Sequence, residues 1–385
     1  MPSNASRPDY FIGLMSGTSL DGVDGVLVDF SGSKPAVVRH HWSSFAINLR
    51  AELLALNAPG DNELHRAALA SSALARLYAQ VALALLADSG LERHAITAIG
   101  AHGQTARHRP GEFDADPANA LPALGYTVQL NNPALLAELT GIDVVADFRA
   151  RDVAAGGQGA PLAPAFHRGV FAQPGQTVGV LNLGGISNLT VLPADPAVGV
   201  LGFDCGPANG LMDHWCQQHR GQPFDADGAW AASGRTIEPL LARLLAEPYL
   251  ALPPPKSTGR DLFNPAWLAT QLQGFGEAAP ADVQATLAAF TVRSCVADVR
   301  RHAPGCTRLV VCGGGALNGY LMHGLQGALP GVAVESSAAQ GLPPLQVEAT
   351  AFAWLARTCV RREELDLKSI TGARGARVLG AVYPA

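Results

Sequence analysis

Apolar positions along the chain fall into two patterns: short runs bounded by turn residues, and longer stretches recurring every three or four positions. Tyr10 to Leu14 reads as a strand, Ser16-Gly17-Thr18-Ser19-Leu20-Asp21-Gly22 as a turn, and Val23 to Phe30 as a second strand. Together they predict a hairpin. Residues 50–60 and 62–88 carry helical spacing, and Ile96 to Ala101 is a short buried strand ending at His102-Gly103-Gln104-Thr105. The stretch 108–125, rich in Pro, Asp and Ala, predicts a surface loop. Pro133 to Thr140 predicts a helix closed by Gly141, followed by a strand from Ile142 to Ala146 and a glycine-dense loop from Asp147 to Gly159. A second strand–turn–strand runs from Val178 to Leu192 through Gly184-Gly185-Ile186-Ser187-Asn188, a weak internal echo of the first. Helical stretches follow near 209–219, 235–246, 265–273 and 282–302. Leu309 to Cys312 then runs into Gly313-Gly314-Gly315, with a helix from about Leu317. Strands alternating with helices predict an α/β protein, and the hairpins make its sheets mixed.

Composition narrows the function. At 385 residues, 48% apolar and 15% charged, the chain can build a large core in about two or three domains. The basic and acidic residues, 27 and 32, give a net charge of −5, so nothing forms a general footprint for nucleic acid. Lys34, Lys256 and Lys368 are the only lysines, and none follows a glycine, which removes the P-loop ending. The six cysteines have no C-x-x-C spacing, so neither a zinc ribbon nor a disulfide scaffold is expected. Met1 to Tyr10 lacks the pattern of a signal peptide. Ala67 to Leu86 is the most membrane-like stretch, but it carries Ser71, Ser72, Arg76 and Gln80 and reads as a buried helix. A reduced, cytoplasmic protein without a membrane partner is expected.

Three loops have the composition of phosphate cradles. Glycine lets backbone N–H groups approach an anion, and a left-handed turn arranges them as a nest. The first loop offers Gly17, Thr18 and Ser19, flanked by Leu20, Asp21, Gly22, Val23 and Asp24; the second offers Gly184, Gly185 and Asn188. The third, Gly313, Gly314 and Gly315, ends a strand where a helix N-terminus would favour an anion or a nucleotide edge. Each loop alone reads equally as an ordinary tight turn.

This constellation resembles the actin/hexokinase-like ATPase superfamily. The closer resemblance is to the anhydro-N-acetylmuramic acid kinases. It is carried by Phe11 to Gly22, Ala101 to Thr105, Asp147-Phe148-Arg149 with Gly156 to Pro161, and Leu181 to Asn188. Gly202 to Pro207, Lys256 to Arg260, and Glu348 ahead of Ala351 to Trp354 complete the set, which spans about residues 11–384. The resemblance implies a two-lobed α/β fold of mixed sheets flanked by helices, with an inter-lobe cleft. Lobe boundaries are expected at 1–140, completed by the tail 370–385, and at 141–369. Met15 stands where heat-shock ATPases of the superfamily carry Asp, a trait shared with the anhydrosugar kinases. Ala208 and Asn131 stand where glycine is expected, and 108–125 is longer than usual.

The activity implied is ATP-dependent: water opens the 1,6-anhydro ring of 1,6-anhydro-N-acetylmuramic acid and the γ-phosphoryl group goes to O6, with ATP and Mg²⁺ as cofactors. The partners implied are the anhydro amino sugar and ATP, and a homodimer is compatible. Asp204 is the candidate base, at a strand tip where open sheets place ligands; on residues alone it serves equally as a helix cap. Arg149 is the candidate clamp for the substrate carboxylate, against an ion pair with Asp147 or Asp152. By family position Ser16, Gln104 and Glu348 contact the sugar, and His102 is a further candidate. Asp21 and Asp24 either tie the first loop or reach Mg²⁺ through water. Lys256 and Arg260 lie in a loop that either faces the cleft or is merely solvated, and Cys205 reads as structural. Two other readings stay open: a sugar kinase acting on a free hydroxyl, and a nucleotide-dependent module without turnover.

Overall fold

The structure, a computed structural model, describes residues 9–17, 20–119, 123–259 and 262–385. Thr18 and Ser19 of the first loop, and Arg260, lie outside the described residues. The strands are β1 (Tyr10–Met15), β2 (Gly22–Asp29), β3 (Ala36–Ser44), β4 (Ile96–Ala101), β5 (Gln104–Pro110), β6 (Gly125–Leu130), β7 (Val144–Ala146), β8 (Thr177–Leu183), β9 (Ile186–Leu192), β10 (Leu201–Pro207), β11 (Cys306–Cys312), β12 (Ala333–Ser336) and β13 (Ala381–Tyr383). They fall into two compact units, residues 1–166 with 346–385, and residues 167–345.

The first unit holds a sheet of order β13-β7-β4-β1-β2-β3. Strands β1, β2 and β3 are antiparallel neighbours, while β1, β4 and β7 run parallel. The strand period of two sorts its two faces. Ile12, Leu14, Ile99 and Ala101 join Leu74, Tyr78, Val81 and Leu85 of the helix Glu63–Ser89 in one core. That helix is long and apolar enough to cross a membrane by length and composition, and its apolar side is spent on this core. The intervening positions Gly13 and Gly100 meet the helix Val347–Val360. A Cβ on Gly13 would lie 1.9 Å from Ala349 O, and one on Gly100 2.1 Å from Phe352 O. Only the absence of a side chain lets backbone approach backbone there.

The second unit repeats the order as β10-β9-β8-β11-β12, with β8, β9 and β10 antiparallel and β8, β11 and β12 parallel. Sheet for sheet this matches β3-β2-β1-β4-β7, so the echo seen between the two hairpins extends to five strands. Leu181, Leu183, Leu189, Phe203 and Val311 pack with Leu287, Phe290 and Val299 of the helix Pro280–His302 in its core.

The unit boundaries differ from those expected at 140 and 370. Strand β7 pairs with both β4 and β13, which keeps the chain in the first sheet past residue 140. The helix Val347–Val360 packs on β1 and β4, which brings the chain back from residue 346. The stretch 108–125 is not all loop either: β5 continues to Pro110 and pairs with β6 from Gly125. Ala208, standing where glycine is expected, is buried and immediately precedes the helix Asn209–Arg220.

Candidate active site

In the first unit the loop between β1 and β2 is tied down from behind. Gly17 O accepts from Leu20 N at 3.2 Å and from Gln104 Nε2 at 3.1 Å. Leu20 is buried at φ 54°, a left-handed value that a Leu adopts only at some strain, as phosphate loops commonly require. Ser16 is buried. Its hydroxyl donates to Gly103 O at 3.1 Å and lies 3.0 Å from the Tyr78 hydroxyl, so it ties the loop to the β4–β5 turn and the helix Glu63–Ser89. Gly22 abuts the backbone of β3, and Val23 points into the core, so both offer only backbone. Asp24 pairs with His40 Nε2 at 3.0 Å, and Asp21 is exposed. Gln104 is buried, and among the described residues its Oε1 has no partner.

Arg149 sits beside His102. Its Nε and an Nη lie 3.1 and 3.0 Å from His102 Nε2, and its other Nη donates to Gly159 O at 2.9 Å. Burial first, then the Arg149 cation, hold the His102 imidazole well below its ordinary range, so the ring is neutral and Nε2 accepts. Burial likewise lowers Arg149, to about 10, with Glu348 and Asp152 opposing. Among the described residues no carboxylate lies within ion-pair distance of Arg149. Asp152 is instead engaged by Gly159 N at 2.7 Å and Thr371 Oγ1 at 2.9 Å. The guanidinium has five N–H groups, and among the described residues these contacts use three. Glu348 opens the helix Val347–Val360 and its side chain reaches solvent, yet protein crowds it. Lost hydration raises its carboxyl most, Asp24 and Asp21 add, and Arg149 opposes.

In the second unit the β8–β9 turn has its carbonyls taken. Leu183 O accepts from Asn209 Nδ2 at 2.8 Å, Gly184 O from Asn209 N at 2.9 Å, and Gly185 O from Ala208 N at 3.0 Å. A trans peptide points its C=O and N–H in opposite directions. The amides of Gly184 and Gly185 are therefore turned outward, and among the described residues neither donates to a backbone carbonyl. This cradle arises without the left-handed residue expected there, since neither glycine has positive φ. Gly313, at φ 77°, packs on Asn182 and Leu183, so the triple glycine adjoins this same turn. No α-helix starts at it. A short 3₁₀ turn, Gly314–Leu317, intervenes, and the helix Gly319–Ala328 begins later with Asn318 as its cap.

Strand register aligns Asn182 with Asn188 and Asn188 with Asp204, a polar row beside the glycine turn. Asp204 does not cap a helix. Its Oδ2 accepts from Ser257 Oγ and Thr258 N, both at 3.0 Å, and among the described residues Oδ1 receives nothing. Burial raises its carboxyl above the ordinary range, while the bonds from Thr258 and Ser257 and the Lys256 cation pull it back. Lys256 neither faces a cleft nor is solvated: it is buried against Asp298 at 3.2 Å. Cys205 is fully buried, with its thiol pushed up by burial. Sequence reasoning missed Asn182, the Ser257–Thr258 grip and the pairing of His102 with Arg149. The first could have been found from its alignment with Asn188 across a short hairpin; the other two depend on long-range contacts.

The chain matches the family model described as anhydro-N-acetylmuramic acid kinase over residues 9–385. It is 65% identical over 380 residues to an anhydro-N-acetylmuramic acid kinase of Variovorax paradoxus, covering 98% of this chain and 99% of that one. It is 60% identical over 395 residues to one of Albidiferax ferrireducens, covering 98% and 100%. Among solved structures it is similar to the activator of the 2-hydroxyisocaproyl-CoA dehydratase from Clostridium difficile with bound ADPNP, with TM-score 0.45 and 11% identity over 89% of this chain and 92% of that one.

Proposed function

We infer the chemistry from one premise: the chain belongs to the anhydro-N-acetylmuramic acid kinase family. Its activity is that of an ATP-dependent phosphotransferase in cell-wall sugar recycling. It opens the 1,6-anhydro ring of 1,6-anhydro-N-acetylmuramic acid with water and phosphorylates O6, giving N-acetylmuramate 6-phosphate and ADP.

In the mechanism we propose, Asp204 is the base. Oδ1 takes a proton from water as the water oxygen bonds to C1, as in the water-activating half of inverting glycoside hydrolysis. The C1–O6 bond breaks and O6 keeps its electron pair. That oxygen then bonds to the γ-phosphorus while the bond to the ADP oxygen breaks, a transfer that needs positioning and charge stabilisation more than covalent help. The observation that carries this reading is the half-held carboxylate: Oδ2 is fixed by two donors, and Oδ1 is left to work.

The remaining roles are part of the same proposal. The amides of Gly184 and Gly185 and the Gly17–Asp24 loop receive the phosphates, and Gly313 to Gly315 line the nucleoside side. The two remaining N–H groups of Arg149 take the lactyl carboxylate. Gln104 Oε1 and the Glu348 carboxylate accept from the sugar, and Ser16 holds the loop that positions them. Mg²⁺ suits this set in its usual manner, bound mainly by phosphates and water. Among the described residues no three ligating side chains cluster, but Asp21, Asp24 and Glu348 share a field that a cation relieves. Asp21 is the carboxylate that would face it, and the ion, when bound, neutralises charge on the β- and γ-phosphates. We place the reaction in the cytoplasm. ADP release measured with the anhydro sugar, with free N-acetylmuramic acid and with no sugar tests the reading: turnover should require the anhydro form. Equal or faster turnover of the free sugar would favour a simple hydroxyl kinase.

A further inference from the structure

Asp204 is aimed by a segment that has no regular structure of its own. Residues 252–259 form neither helix nor strand, so something else must fix them. Their hold on Asp204 is extensive. Lys256 O accepts from Asp204 N at 3.2 Å, and Ser257 Oγ and Thr258 N bond Oδ2. The Tyr249 hydroxyl donates to Asp204 O at 2.8 Å. The Lys256 side chain leaves the segment and goes inward. Its Nζ lies 3.2 and 3.5 Å from the two Asp298 carboxylate oxygens and 3.3 Å from Leu250 O, with side chains only 2% and 5% exposed. It also sits over the rings of Phe203 at 5.5 Å and Tyr249 at 5.2 Å.

We propose that the buried Lys256–Asp298 pair is a positioning device for the base, anchoring residues 256–258 to the helix Pro280–His302 so that Asp204 presents Oδ1 in a fixed direction. This rests on the reading of Asp204 as the base. A buried ion pair adds little net stability over an apolar pair of the same shape, because desolvation offsets the attraction. Its value here is geometric. Anchoring one end of an irregular segment in the core holds three contacts to Asp204 at once.

The charged and titratable surroundings are few. Lys256 is faced by Asp298 and His302 from the helix Pro280–His302 and by Tyr249 from the turn Pro248–Ala251, and Asp298 in turn by the buried thiols Cys205 and Cys295. Of the charges acting on Asp204, Lys256 is the one that favours its ionised form. Removing that cation therefore moves the titration of Asp204 upward.

The test replaces the pair by apolar residues of similar size, Lys256→Met with Asp298→Leu. The expected result is a folded enzyme whose kcat falls about 10- to 100-fold, the cost of a base displaced by about 1 Å. The KM for ATP stays within about twofold, and the acid limb of kcat/KM moves as Asp204 loses the Lys256 cation and its fixed geometry. A purely structural pair would lower the melting temperature without moving that limb. Asp298→Asn is the second variant, chosen in case the double one does not fold; it should lower kcat at least about fivefold with the KM for ATP unchanged. Asp204→Asn separates the two failures. If it turns over at the parent rate, the reading of the base falls and the positioning role with it. If it is inactive while the pair variants keep the parent kcat and acid limb, the positioning role alone is overturned.

Discussion

Arg149→Met separates the cost of an unpaired cation from its use. Burial lowers the guanidinium from 12.5 to about 10, so the free protein carries about 3 kcal/mol of unfavourable electrostatics at this residue. Removing the charge relieves that cost. It also removes the contacts to His102 and Gly159, three bonds of about 1 kcal/mol net each. The two sums nearly cancel, so the melting temperature should move by only a few degrees. Binding does not cancel. A bidentate, charge-assisted grip on a carboxylate contributes about 3 kcal/mol, so the KM for the anhydro sugar should rise about 100-fold while that for ATP stays put. Steady-state kinetics with each substrate varied in turn, alongside a thermal melt, reads both. A steep fall in melting temperature with an unchanged sugar KM would show Arg149 to be structural and refute the reasoning.

Other outcomes follow from the same geometry. Gln104→Leu removes both the Nε2 bond to Gly17 O and the Oε1 acceptor, and should raise the KM for ATP and for the anhydro sugar, each about tenfold. Gly100→Ala places a methyl 2.1 Å from Phe352 O and should cost about 3 kcal/mol or prevent folding, as read by chemical denaturation. Asp204→Asn should raise the melting temperature at pH 7. The folded carboxyl titrates above its unfolded value, so ionisation there works against folding; the gain should vanish in acid, where the parent is protonated in both states. For the same reason kcat/KM of the parent should fall on acidification with a midpoint above the ordinary carboxylate range.

What could be read from the chain was local. The β1–β2 and β8–β9 hairpins and the helix Pro133–Thr140 with its closing Gly141 are encoded within about ten neighbours, whereas Asp204, expected at a strand tip, lies inside β10 just before a register shift that only the pairing with β9 reveals. Strand β3 was not legible, because its exposed edge carries Arg39, His40, His41 and Trp42 with no clean alternation. The triple glycine opens a short 3₁₀ turn and the α-helix follows only at Gly319, a delay that the tight packing of Gly313 on Asn182 and Leu183 does not announce in the sequence. Lys256 looked like a solvated lysine because its partner lies 42 positions away on another element. Arg149 likewise found a neutral histidine 47 residues away instead of the nearby acids. Residues that hold the chemistry in place are set by tertiary contact, and single-chain patterning carries no record of that.

The central claim is that one carboxylate activates the water that opens the ring. Single-turnover quench of parent and Asp204→Asn in ¹⁸O-labelled water measures it directly, following label at C1 of the sugar phosphate. The parent should place one labelled oxygen at C1 in step with ADP formation, and the variant should do so at least about 1,000-fold more slowly. Labelled product from the variant at the parent rate, or unlabelled C1 from the parent, would contradict the account.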